Sequence, residues 1–103
     1  MDILHDELEL SFPTKEQATE FIQKMKQEAY KYDVITVIDV LKHHGLPLIS
    51  GGFDWGYSKA MIKKLKARKN ENDFPKWIVT FPKPGKLVRD KNGYWTVETE
   101  SGG

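Results

Sequence analysis

A chain of 103 residues with 39% hydrophobic and 12% aromatic content has apolar surface for one core and too little length for a second domain. Sixteen Lys and Arg against fifteen Asp and Glu leave a formal net charge of +1, so no whole-molecule field drives it onto nucleic acid or an anionic membrane, and only local charge is informative. The absence of cysteine excludes disulfides, thiolate metal sites and cysteine nucleophiles together, and suits a reducing cytoplasm.

The opening segment MDILHDELELSF is acidic and amphipathic, where a signal peptide would be basic and then apolar, and no apolar run approaches the roughly 18 residues of a membrane span. A soluble, cytoplasmic protein is expected. HDEL at residues 5–8 imitates a retention address that is read only at a C-terminus, and is treated as coincidence. Leu8, Leu10 and Phe12 alternate with Glu7, Glu9 and Ser11, the period of a half-buried strand over residues 7–12. Pro13 ends it, and Thr14 with Gln17 forms a capping-box pattern. A helix follows, its core stripe being Ala18, Phe21, Ile22, Met25 and Ala29.

The segment DVITVIDVLKHHG carries its own punctuation. Thr36 is a fit N-cap with Asp39 three residues on, Ile35 and Val40 stand where a hydrophobic staple closes, and Gly45 suits a left-handed C-terminal cap. This predicts a short helix over 37–44. GGFDWGYS at 51–58 reads as a corner in which Phe53, Trp55 and Tyr57 alternate and one face covers the core. SKAMIKKLKARKN carries two periods at once. Met61, Ile62 and Leu65 suit a helix capped by Ser58, whereas Ala60 with Ile62 and Leu65 with Ala67 suit two strand pieces around a bulge at Lys63 and Lys64. KWIVTFPKP is a strand, with Trp77, Val79 and Phe81 on one face and Pro82 and Pro84 as stops. The polar connector NENDFP before it favours a hairpin whose other arm is 60–68. Asp90, Lys91, Asn92 and Gly93 make a type I turn for a small terminal hairpin, and ESGG is read as frayed. Residues 1–87 are therefore expected to form the domain, and 88–103 a short C-terminal hairpin or a partly disordered tail.

Four blocks in order, VITVIDVLKHHG, FDWGYS, AMIKKLK and KWIVTFPKP, resemble those of a family of small bacteriophage and prophage proteins with no established biochemistry. The family's very short turn between its last two blocks implies a hairpin and favours strand for 60–68, although residues 67–75 lengthen that link here. The implied order is strand, helix, helix, strand, strand. The expected fold is thus α+β, a small antiparallel sheet packed on two helices.

Between Lys59 and Lys69 there are six basic residues and no acid, preceded by Trp55 and Tyr57. Cations that neutralise phosphates beside aromatics that stack on bases make Lys59, Lys63, Lys64, Lys66, Arg68, Lys69, Trp55 and Tyr57 the candidate partner or nucleic-acid surface. If helical, 59–69 could also mimic the second helix of a helix-turn-helix; the bland alternative is lysines that solvate an exposed strand edge. His43 and His44 diverge by about 100 degrees on a helix and cannot share a metal, so His44 is read as a cation at the helix C-terminus. Asp39 is a cap, Asp54 has no evident partner, and GGFDWG lacks the lysine and spacing of a phosphate loop. No catalytic, metal or cofactor residues are assigned. The expectation is a non-enzymatic accessory protein of phage or prophage type acting through protein contacts, with nucleic-acid binding by 59–69 as the alternative.

Overall fold

A computed structural model describes residues 6–72 and 77–98. The first strand, β1 (Leu8–Phe12), buries Leu8, Leu10 and Phe12 and turns Glu9 and Ser11 outward. Pro13 and Thr14 then start α1 (Lys15–Tyr32), where the Thr14 hydroxyl accepts from the Gln17 amide at 3.1 Å. The stripe Ala18, Phe21, Ile22, Met25 and Ala29 is buried as its spacing requires. Asp33 stops the helix in a left-handed conformation (φ 71), one that Asp tolerates better than most side chains do.

After that stop come β2 (Val34–Thr36) and α2 (Val37–His44). The Thr36 hydroxyl accepts from the Asp39 amide at 3.0 Å and an Asp39 carboxylate oxygen accepts from the Thr36 amide at 3.1 Å, so each residue satisfies an amide of the other. Ile35 and Val40, the staple pair, both enter the core. Gly45 ends α2 at φ 84, with Gly45 N–H donating to the Lys42 carbonyl and Leu46 N–H to that of Leu41, a Schellman closure.

The chain then forms β3 (Trp55–Ser58), α3 (Lys59–Lys63), β4 (Ala67–Lys69), β5 (Trp77–Phe81), β6 (Gly85–Arg89) and β7 (Trp95–Val97). Two antiparallel sheets result. One has the order β1-β5-β4, with Leu10 opposite Val79 and Val79 opposite Ala67; the other has the order β2-β3-β6-β7. α1 packs against all three strands of the first sheet and reaches β2 and α3 of the second unit, so a single core runs through both. The fold is α+β, with the expected strand, helix, helix, strand, strand order present as β1, α1, α2, β4 and β5.

Three features depart from the sequence reading. The hairpin arm expected over 60–68 contracts to β4, because Ser58 caps a single helical turn: its hydroxyl accepts from the Met61 amide at 3.2 Å, and Ile62 and Leu65 enter the core three residues apart. The bulged double strand is therefore replaced by one turn of helix followed by a short strand. The pair β2 and β3 was not expected at all, and it links the corner to the helices. Finally, the terminal hairpin is real but not peripheral, since β6 pairs with β3 and the 87/88 boundary falls inside β6. Gly93 (φ 83) closes its turn and the Asp90 carboxylate accepts from the amides of Asn92 and Tyr94 at 2.8 and 3.0 Å. The readings of HDEL (residues 5–8), the connector at 73–76 and the ESGG tail fall wholly or partly outside the described residues.

Gly56 faces Thr36 on one side and Gly85 on the other. A Cβ there would overlap the Ile35 carbonyl oxygen, and one at Gly85 would overlap the Val97 side chain. The two glycines let the second sheet bend sharply, which brings β7 against β2 as well as β6.

Candidate functional site

The corner GGFDWGYS sends its aromatics to three different depths. Tyr57 is 0% exposed, its ring 5.0 Å from that of Phe81, and its hydroxyl has no hydrogen-bond partner among the described residues. Burial pushes its pKa far above the ordinary tyrosine value. Tyr57 is therefore a core residue and leaves the candidate surface. Trp55 is half-buried against the core, and Phe53 stands 69% exposed.

The six basic residues do not act as one patch. Lys59 pairs with Asp33 at 3.3 Å and lies 5.2 Å from the Tyr30 ring centroid, while Arg68 pairs with Glu9 at 2.6 Å. Lys63, Lys64, Lys66 and Lys69 are exposed and form no ion pair among the described residues. Arg68 and Lys69 lie on β4, an outer strand of its sheet, where positive charge opposes pairing with another chain's edge. The helix-turn-helix alternative fails on geometry. α3 is only five residues long and is separated from α2 by β3.

His44 is not the charged cap. Gly45 closes the helix, and the His44 ring sits edge-on to Phe12 and Phe21 at centroid distances of 4.7 and 5.8 Å. Burial there lowers its pKa and favours the neutral imidazole. His43 instead contacts Glu28 at 2.7 Å, across to α1. Among the described residues no group of three or more His, Asp or Glu side chains is placed to hold a metal.

The bend of the second sheet gathers a different set of residues. A cleft of about 350 Å³ is lined by Tyr32, Val34, Thr36, Asp39, Phe53, Asp54, Leu87 and Trp95. Trp95, 44% exposed, also borders a neighbouring hollow with Asp33, Lys59, Asp90 and Tyr94. Each aromatic is placed by a local device. Tyr32 is the last residue of α1, Phe53 follows Gly51 (φ 83), Tyr94 leaves the Asp90 turn, and Trp95 opens β7. The corner is tied to β6 by the Leu87 amide, which donates to the Asp54 carbonyl at 2.9 Å.

The sequence reading placed Phe53 in a corner with one face on the core, whereas it is exposed, and it passed over Tyr32, Tyr94 and Trp95, although two signals were present. Tyr30 and Tyr32 lie off the buried stripe of α1, and Tyr94 and Trp95 are adjacent at a strand's start, where neighbouring side chains point to opposite faces. Large aromatics left in water within one region mark contact surfaces more often than chance.

Comparison of the chain with protein-family models, curated proteins and solved structures finds no match in any of the three.

Proposed function

We propose that the protein is a non-enzymatic interaction module, of the phage or prophage accessory type, that works through protein contacts in a host cytoplasm. The observation that carries the contact reading is the convergence of Tyr32, Phe53 and Trp95 on one cleft, with Tyr94 beside it. Tyr and Trp side chains of this kind, half in water and half against an apolar floor, supply most of the energy at protein interfaces. The phage setting rests on the resemblance of the four sequence blocks, and the cytoplasmic one on the absence of cysteine.

Affinity capture from the host tests the reading. Wild-type protein recovers a stoichiometric partner, and Phe53→Ser with Trp95→Ser loses it while melting at an unchanged temperature. Reproducible turnover of a substrate with no partner recovered would overturn it. One observation favours a second reading, phosphate binding by the lysines at 63, 64, 66 and 69, which form no ion pair among the described residues. Such an interface on single strands would weaken with salt at a slope of about −0.7 per phosphate contact, and neutral substitutions at Lys63, Lys64 and Lys66 would flatten it. Absent or salt-independent binding to short DNA and RNA removes this alternative.

A further inference from the structure

We propose that the cleft between β2, the Phe53 corner and β7 takes an extended segment of another protein in which an apolar residue, proline or leucine, is flanked by arginine or lysine. The inference rests on the protein-contact reading above and names the chemistry of the partner.

Size comes first. A cleft of about 350 Å³ lies near the lower end of the roughly 300–1,000 Å³ typical of ligand sites, which suits one or two side chains of a peptide better than a cofactor. Its apolar lining is Val34, Leu87 and three aromatics, and aromatic-lined grooves are where extended, proline-containing segments dock with little ordering cost.

Charge fixes the sign of the partner. Among the described residues the lining contains Asp39 and Asp54 and no lysine or arginine. Asp39 gives one oxygen to the Thr36 amide at 3.1 Å and keeps the other, while the Asp54 carboxylate makes no bond or ion pair among the described residues. Beyond Trp95 the neighbouring hollow adds Asp90, while Asp33 there is paired with Lys59 at 3.3 Å. The chain's own nearby cations are used on rings: the Arg89 guanidinium is 4.7 Å from the Trp95 ring centroid, and Lys31 Nζ is 5.1 Å from that of Tyr32. These contacts hold both cations on the rings, and neither forms an ion pair with the two lining carboxylates among the described residues. Within the cleft an acidic segment would meet Asp39 and Asp54, whereas a basic one would gain both carboxylates.

The test is fluorescence polarisation with three labelled peptides of about nine residues. One has an apolar centre flanked by arginines, one replaces the arginines with glutamates, and one keeps the arginines around a serine centre. The first binds and the other two do not. Asp54→Asn, whose side chain supports nothing else among the described residues, weakens binding about two- to fivefold and flattens its salt dependence without moving the melting temperature. Trp95→Ser abolishes it. Equal binding of the glutamate peptide, an unchanged affinity for Asp54→Asn, or failure of the first peptide to bind overturns the proposal. Sedimentation of the free protein decides against it as well if the wild type self-associates and Trp95→Ser does not, because a second copy is then the occupant. If no peptide binds but host-partner capture still depends on Phe53 and Trp95, the contact reading stands and the basic-segment inference falls. If capture is also insensitive to them, both fall.

Discussion

Replacing Tyr57 with phenylalanine should make the protein more stable. The ring is fully buried against Phe81 in the common core, and phenylalanine keeps that packing while removing one oxygen. The hydroxyl it removes has no partner among the described residues, so in the folded state it gives up its bonds to water without replacement. An unsatisfied buried polar group costs about 1–3 kcal/mol, and Tyr57→Phe should recover about 1 kcal/mol of that once local relaxation is allowed for. In a chain of this size 1 kcal/mol moves the melting temperature by about 4–8 °C, well within calorimetric precision. An alkaline titration of tyrosine absorbance gives an independent check, since burial holds the Tyr57 pKa far above the usual range. Tyr57 should ionise only on unfolding. A lower melting temperature for Tyr57→Phe would refute the reasoning, because it would show that the hydroxyl is paired in solution.

Gly56→Ala should cost more than about 2 kcal/mol in urea unfolding, since its Cβ overlaps backbone that β2 needs for pairing; a loss below about 0.5 kcal/mol would contradict the bend described for this sheet. Acid should weaken the fold through His44. Its folded-state pKa lies below the unfolded value of 6.5, so the unfolded chain binds the extra proton, and the stabilisation is complete above 6.5 and is lost as pH falls below it. The groove around the ring also holds Glu20, Lys24 and His43, so the check is the difference between wild type and His44→Phe in stability from about pH 7 to about pH 5. The variant should show the shallower decline, and parallel curves would contradict the burial argument.

What could be read from the sequence was local. Thr14 with Gln17, Thr36 with Asp39, and Gly45 each act within a few residues, and all three appear where their spacing puts them. The alternation of Leu8, Leu10 and Phe12 was equally plain, because one face of β1 is buried and the other wet. β2 was hidden for the opposite reason. Its three residues, squeezed between two helices, become a strand only by pairing with Trp55–Ser58, some twenty positions away, through the close approach that Gly56 allows. Residues 59–69 looked ambiguous because they are mixed, one capped helical turn and then a strand fixed by β5. The candidate surface was the least legible part. Phe53, Tyr32 and Trp95 lie far apart in the chain and meet where β7 lies against β2. The basic residues of 59–69 are close together in sequence, while the aromatics that converge in space sit in three separate segments.

The central claim is that partners dock on the aromatic cleft, and amide hydrogen exchange of the protein with and without its captured partner tests it most directly. The account predicts slowed exchange at residues 32–36, 53–55 and 94–96, with residues 63–69 unchanged. Protection centred on residues 63–69, with the Phe53 corner and β7 exchanging as in the free protein, would contradict it.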